Sequence, residues 1–527
     1  MRSLVALRGE PLVIEREQRF SLSIVWEMQR RFYAERGLDA WRSQTVTEHV
    51  TATPALADAF ARVVHGHLRD RVNRLERTYI VELGGGTGRF AHYFLERLVP
   101  RLEAMGALAP VTYVLTDVVP SLLEHWRAHP CLVEYIARGV LDLAVFDAAA
   151  PAPLVLIESG VTLGPGTCAA PLVVIANDVL GELPADCFRV ADGVLTAGLS
   201  TLSVMREIED PTEPALLGEL ALRMSDAPVG AAYYGEPVRD AILEGYRARL
   251  VDTSVLMPIA AMRCLDYLRA IGGGAFALIA DRGIADERGL EDKLDPQLEL
   301  HGGFSVRLNL HALAAYVRAT GGRVYQSDAR HPRLEVLALA VGMPEAGLET
   351  ACAFRDAIEL DSPGDALTRR ESAARGYDDL SLDEILAELR RDGGDLATFW
   401  ACYRELVESV ASASAEQRED VTSTLARLWA SYFPTGEPED FALALATVHD
   451  QLGEFEEARW YADHSIRLRG PSAEAGYQLA RCHAELGDLE QASHELAQVL
   501  ARQPDHDGAR ALAAALHDAT PQVRSSR

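Results

Sequence analysis

The sequence predicts an α/β fold: a nucleotide-binding sheet preceded by a helical segment and followed by an all-α repeat region. Three observations carry this. Tyr79-Ile80-Val81-Glu82-Leu83 is a β-rich run leading into Gly84-Gly85-Gly86-Thr87-Gly88, and a segment with Phe90, Phe94, Leu95 and Leu98 on one face follows as far as Pro100, so strand, tight turn and helix succeed one another. Further β-rich runs end in polar residues at Asp117, Asp147 and Asn177, as strands that deliver side chains to one sheet edge would. Near the C-terminus Leu452-Gly453 and Ala458 recur 34 positions later as Leu486-Gly487 and Ala492, a helical-repeat period.

Residues 1–75 read as a helical substrate or lid region. Ile24 to Tyr33 forms one helix. Thr53 as N-cap with Pro54 at the first helical position opens another, which places Leu56, Phe60, Val63, Val64 and Leu68 on one face.

The sheet domain spans residues 76–345. Its glycine turn lacks a third glycine at Arg89, where a dinucleotide fold needs one for helix and strand to pack closely. No Gly-Lys-Ser/Thr follows, so the phosphate loop fails too. The remaining pattern, Glu82-x-Gly84-x-Gly86-x-Gly88 with Gly85 inside it, resembles motif I of class I S-adenosylmethionine-dependent methyltransferases, which have a Rossmann-like sheet. The resemblance implies that backbone amides of this turn approach the methionine part of S-adenosyl-L-methionine at the positive end of the following helix.

Val111 to Asp117 is a second strand, whose terminal carboxylate is placed to accept hydrogen bonds from two ribose hydroxyls; the alternative is a cap for a helix starting near Pro120-Ser121. Leu141 to Phe146 is a third, ending in Asp147, where the superfamily has an acid or amide that meets the adenine amino group; the alternative is an ordinary loop aspartate. Leu172 to Ala176 is continuously apolar, as expected of a strand covered on both faces, and empties into Asn177-Asp178-Val179-Leu180-Gly181-Glu182-Leu183-Pro184. This loop should face the transferable methyl group.

An insertion at about 185–256 contains a hairpin, Phe188 to Leu195, around Asp192-Gly193, and such decorations build substrate pockets. The sheet resumes at Ala275 to Ala280. It closes with a helix over Leu310 to Ala319 and a final antiparallel pair, Arg323 to Gln326 and Leu334 to Val341.

Residues 346–435 read as a helical linker or bundle, with helices over Leu380 to Val410 and Val421 to Phe433. Residues 436–520 carry the 34-residue period of tetratricopeptide repeats, a proline closing each unit at Pro471 and Pro504, and Ala509 to Leu516 as cap. Such stacks present a concave groove to a peptide or protein segment. Gly476-Tyr477, Arg459 and Arg481 either lie in it or sit on solvated helix faces.

The order of five segments narrows the resemblance: "VTATPALADAF", "VELGGGTGRFAHYFLERL", "VIANDVLGELPADCFRV", "FALIADRG" and "GGFSVRLNLHALAAYVRATGG". From Thr51 to Val341 the chain resembles the MidA-like methyltransferases, the group that includes the mitochondrial complex I assembly-factor arginine methyltransferase. It departs from them at Ala52-Thr53-Pro54-Ala55, where they have Thr-Ser-Pro-Glu; at Gly181, where they have an acid; and at Gly303-Phe304-Ser305, where they have Asp-Leu-Thr. Cofactor binding therefore carries over better than substrate identity.

Methyl transfer is an in-line displacement at a sulfonium carbon, so the protein mainly aligns the reactants. A guanidinium acceptor also needs carboxylates to orient it and take its proton. Asp178 and Glu182 bracket the end of the fourth strand and read as that clamp, with Asn177 beside them and Glu158 a weaker third candidate. The alternatives are a helix cap for Asn177 and a solvated charge for Glu182. His49 and His301 could instead deprotonate a hydroxyl or amine, though isolated histidines are more often structural.

Composition agrees with a large soluble enzyme. The chain has 527 residues, 48% hydrophobic, with no apolar stretch of the roughly 18 residues a membrane span requires and no signal-peptide pattern in its first twenty residues, so a cytoplasmic protein is expected. Seven cysteines without a C-x-x-C pair argue against disulfides and structural zinc, and Cys187 reads as structural. A net charge of −27 disfavours nucleic acid and anionic membranes and favours cationic partners. The expectation is an S-adenosylmethionine-dependent methyltransferase acting on a protein or peptide, by arginine or another nitrogen, with the repeats docking substrate or partner. The alternatives are a small-molecule O- or N-methyltransferase with the tail serving homodimerisation, and a non-catalytic assembly factor that keeps the cofactor fold.

Overall fold

The computed structural model describes residues 11–42, 51–71, 76–106, 110–230, 232–328, 331, 333–343, 347–373 and 380–519. The chain divides into two compact units, Met1–Thr368 and Arg369–Arg527.

The first described element corrects the reading of residues 1–75 as helical, because it is a strand, β1 (Leu12–Arg19). Helix α1 (Val25–Arg36) follows, then α2 (Pro54–Asp70), whose first turn is capped by Thr53 accepting from the Leu56 N–H at 3.2 Å. The apolar face expected of α2, Leu56 to Leu68, is buried throughout.

Strand β2 (Thr78–Leu83) runs through the glycine turn into α3 (Arg89–Ala104). Pro100 does not stop that helix. Proline removes a single donor, and the buried Leu98 and Leu102 on either side of it keep the last turn packed on the core. Strands β3 (Val111–Asp117), β4 (Leu141–Val145) and β5 (Leu172–Asn177) come next. The insertion supplies β6 (Asp186–Ala191), β7 (Val194–Val204), β8 (Ala221–Pro228) and β9 (Asp252–Met257), and the sheet finishes with β10 (Ala275–Asp281), β11 (Arg323–Gln326) and β12 (Glu335–Val341).

The main sheet has the order β11-β12-β10-β5-β2-β3-β4. Its neighbours from β10 to β4 are parallel, while β12 runs antiparallel to both β10 and β11, the expected final pair. Strand order reverses between β2 and β5, so the carboxyl ends of these two strands open a crevice. The main core lies against this sheet, and Leu172 to Ala176 is buried on both faces, which is why the run is continuously apolar.

The insertion forms a second, antiparallel sheet. Asp192 and Gly193, both at positive φ (51° and 73°), turn β6 into β7 as the Asp-Gly signal predicts. Half of one β7 edge pairs with β6 and the other half with β1, while β8 takes the opposite edge and β9 extends β6. An ion pair from Arg19 to the buried Asp186, which also accepts the Tyr234 hydroxyl at 2.8 Å, ties the N-terminal strand into this sheet.

The first unit continues past residue 345. The helix Leu348–Phe354 packs against α2 so closely that a Cβ on Gly66 would lie 2.7 Å from the Ala353 side chain, and Asp70 caps its start by accepting the Glu349 and Thr350 N–H groups.

The second unit is all helical. Leu382–Arg391, Leu396–Val410 and Ala415–Ala430 precede the repeats, the first and third opened by Ser381–Glu384 and Ser414–Gln417 capping boxes. Phe441–Leu452 with Phe455–Arg469 and Ala473–Glu485 with Leu489–Arg502 are the repeat pairs, and Asp507–Ala519 follows. Gly453 and Gly487 stand at positive φ (75° and 82°) after the first helix of each pair, and Ala458 and Ala492 are fully buried where the pairs touch. Arg481 is not a free groove residue, since it pairs at 2.7 Å with Asp450, and Arg459 pairs with Glu456 on the same helix. Among the described residues no helix is long and apolar enough to cross a membrane.

Candidate functional site

A cavity of about 690 Å³ opens at the strand-order reversal. One side is the glycine turn and the strand ends beside it, contributing Glu82, Gly84, Gly85, Gly86, Asp117 and Phe146 to Ala149. At its floor are Asn177, Asp178, Val179 and Glu182 to Pro184. The facing side is α1, with Trp26, Gln29, Arg30, Tyr33 and Ala34, continued by Trp41, Thr51 and Ala52.

The turn is built to bring backbone, not side chains, to the cavity. Gly84, Gly86 and Gly88 have φ of 63°, 52° and 85°. A Cβ on Gly85 would lie 2.2 Å from Leu115, and one on Gly84 2.8 Å from Val179. Gly88 does not line the cavity; it closes the turn by donating to the Gly85 carbonyl and starts α3. Glu82 is buried and accepts the Tyr113 hydroxyl at 2.7 Å.

Asp117 is not the cap of the helix Ser121–Ala128. Its carboxylate accepts the Gly86 N–H at 3.1 Å and the Val119 N–H at 3.0 Å, which locks it to the glycine turn. Burial pushes it up to about 6, against the pull of those donors. Asp147 accepts the Ala149 N–H at 2.9 Å through Oδ1 and pairs through Oδ2 with Arg30 of α1 at 2.9 Å.

Asn177 and Glu182 depart from their bland alternatives. Asn177 caps no helix: its Nδ2 donates to the Thr51 carbonyl at 3.2 Å and its buried Oδ1 has no hydrogen-bond partner among the described residues. Glu182 is part-buried, not solvated. Its Oε1 accepts the Tyr33 hydroxyl at 3.0 Å, its Oε2 accepts from Gln29 at 3.2 Å, and His301 Nε2 stands 3.7 Å away. Burial, and after it the charge of Asp178, raise Glu182 well above the usual carboxylate range. Asp178, at φ 52°, is raised by burial, with Arg282 opposing. His301 is pushed down to about 4 by burial and by Arg282, and it does not line the cavity.

One other candidate falls elsewhere. Glu158 pairs with Arg127 at 2.7 Å and lies outside the cavity lining. His49 lies outside the described residues. Cys187 is buried in β6, and burial raises its thiol.

Further residues acquire roles only in three dimensions. Gln29 bonds both backbone groups of Phe304, at 2.7 and 2.8 Å, besides holding Glu182. A Cβ on Gly303 would meet its side chain at 2.6 Å, which explains the glycine at this position. Asp281 of "LIADRG" accepts the Leu180 and Gly181 N–H groups at 3.0 and 3.1 Å and that of Arg282 at 2.8 Å, shaping the 178–182 loop. Burial and Asp178 raise it to about 7. Gly181 leaves no room for an acid, because a Cβ there would lie 2.9 Å from the Val306 carbonyl, so Glu182 is the carboxylate that reaches the site. The insertion does not line the cavity as expected. It acts behind α1 instead, where Asp210 and Thr212 each accept from Arg31 at 2.6 Å.

Comparison with known proteins gives a local and a distant likeness. Residues 465–516 match the tetratricopeptide repeat family. No curated protein matches the chain. Two crystal structures from Burkholderia thailandensis are distantly similar, each 15% identical and covering 63% of this chain and 89% of their own. One is a protein described as a "likely methyl transferase" bound to S-adenosyl-homocysteine, at a TM-score of 0.41, and the other an uncharacterized protein of the same superfamily, at 0.38. The C-terminal segment is thus a tetratricopeptide repeat, and the first unit is an α/β fold whose sheet has the layout of class I methyltransferases.

Proposed function

We propose that the chain is an S-adenosylmethionine-dependent methyltransferase whose acceptor is a nitrogen of a protein or peptide, arginine being the class its resemblance implies. The observation that carries the reading is one cavity lined by both a side-chain-free glycine turn locked to Asp117 and the carboxylates Asp178 and Glu182. The residues fit the cofactor: the turn lines the cavity with backbone, since Cβ atoms on Gly84 and Gly85 would collide with Val179 and Leu115, and the buried Asn177 Oδ1 is an acceptor unpartnered among the described residues. S-adenosyl-L-methionine supplies an activated methyl group when bound.

This chain's own residues do the rest. Glu82 and Gly84 to Gly86 shape the methionine end, Gly88 closes the turn, Asp117 takes the ribose hydroxyls, and Asp147 belongs to the adenine end. Tyr33 and Gln29 hold the two oxygens of Glu182 while Asp178 stands beside it. Entry of a cationic acceptor favours the ionised forms of both carboxylates, which orient the nitrogen and take the proton it loses on methylation. The repeats dock the substrate protein or a partner.

The test has two stages. Calorimetry with S-adenosyl-homocysteine establishes the cavity's ligand. Incubating the protein with methyl-labelled cofactor and lysate, followed by mass spectrometry, then finds the acceptor; label confined to small molecules would sink the protein-acceptor reading and leave the cofactor reading standing.

A further inference from the structure

We propose that Arg30, held by Asp147, is a cofactor-binding residue that covers the adenine end of the cavity, so that Asp147 acts on the adenine through Arg30. This rests on the cofactor reading above. The residue before Arg30, Gln29, is pinned to Phe304, and the residue after it, Arg31, is pinned to Asp210 and Thr212, so α1 needs no further anchor at this turn. Arg30 nevertheless reaches into the cavity lining, where its guanidinium meets Asp147 Oδ2 at 2.9 Å. The pair is open, with 56% of the arginine and 22% of the aspartate side chain exposed, and an ion pair that wet contributes little to folding.

The chemistry of the two side chains points to a ligand. Each Asp147 oxygen already has a donor, Ala149 N–H on Oδ1 and Arg30 on Oδ2, so an adenine amino group that reached this carboxylate would meet it beside the Arg30 guanidinium. A guanidinium is planar and weakly hydrated, and it stacks on flat aromatic systems where an ammonium does not. Clamped at one edge by Asp147, it keeps its face available at modest entropic cost.

The experiment is calorimetry on the full-length protein with S-adenosyl-homocysteine and, separately, adenosine. Arg30→Ala should weaken both probes by the same factor, about tenfold, with the melting temperature unchanged. Arg30→Lys should lose as much, because it keeps the charge and not the plane; it also serves as the folded control if the alanine variant melts early. Asp147→Ala should match Arg30→Ala, and the double variant should be no weaker than either, since the two form one unit. Unchanged affinity in Arg30→Ala, full retention in Arg30→Lys, or additive losses in the double variant would each overturn the proposal. A wild-type protein that takes up neither probe would overturn the cofactor reading itself.

Discussion

One wall of the cavity is made of short runs of neighbouring residues at the ends of adjacent parallel strands, whereas the other is a helix that meets Glu182 from 149 and 153 residues away in sequence. The first wall works through backbone: positive φ at Gly84, Gly86 and Gly88, and the Gly86 amide donated to Asp117. The second works through side chains, each held by a partner on another element. A backbone device tolerates almost no substitution and so leaves a recognisable string, while a side-chain device leaves an ordinary-looking helix. The two walls should therefore fail differently when altered.

The largest effect is expected at the backbone wall. Gly86→Val places a β-branched side chain at φ 52° on the cavity surface, and S-adenosyl-homocysteine affinity should fall by more than roughly 100-fold in calorimetry. Unaltered affinity would mean that the glycine string is only a turn.

The side-chain wall should show the opposite pattern. Glu182→Gln and Asp178→Asn are expected to lower turnover by about 100-fold while S-adenosyl-homocysteine affinity stays within a few fold, the mark of an interaction made in the transition state. Tyr33→Phe removes one hydrogen bond to Glu182 and should cost roughly tenfold in turnover, while Gln29→Ala, which also frees the Phe304 backbone, should cost at least as much. Equal losses of binding and turnover would place Glu182 in the cofactor half and erase the contrast.

The same contrast explains what the sequence could be made to say. Glycine spacing, the strand-terminal Asp117 and the Asp192-Gly193 turn are local devices, and each stands where its pattern put it. Asp178, Glu182 and Asn177 could be placed at a strand end but not given partners, because Gln29 and Tyr33 lie on a helix whose apolar spacing reads only as core. The strand β1 was missed for a related reason: its sequence, Leu-Val-Ile-Glu-Arg-Glu-Gln-Arg, is apolar then charged with no alternation, and its pairing partner lies in the insertion. The boundary placed at residue 345 missed the helix Leu348–Phe354, whose fit on α2 depends on Gly66, a glycine with no local signature inside a helix.

A pH titration sharpens the comparison on the cofactor side. Asp117 must be ionised to accept both ribose hydroxyls, and burial lifts it from 3.8 to about 6. Affinity for S-adenosyl-homocysteine should thus be flat above about pH 7 and fall toward tenfold per unit below 6, where proton uptake competes with the ligand. The sign for folding is the reverse. A raised carboxyl stabilises the ligand-free fold below its unfolded value and loses that contribution as pH rises from about 4 to about 6, so ligand should protect most above that window. Asp117→Asn should bind weakly with no such slope; a slope that survives the substitution would assign it to another group.

The smallest effect on the cavity is expected from the second unit. All the cavity residues precede Thr368, so a chain ending at Ala373, which keeps the helix Pro363–Ala373 whole, should bind S-adenosyl-homocysteine within about twofold of the full protein, provided circular dichroism shows it folded. A cut near Gly342 would not test this, because it strips Phe354, Ala357 and Ile358 from the core and leaves α2 uncovered. If the repeats dock the substrate protein, the truncated chain should need a several-fold higher concentration of the full-length acceptor for half-maximal labelling while a short acceptor peptide is methylated as before, since docking raises effective concentration without touching the reacting atoms. Identical kinetics on the full-length acceptor would remove the docking role, and weakened S-adenosyl-homocysteine binding in a folded truncated chain would show that the second unit supports the cavity after all.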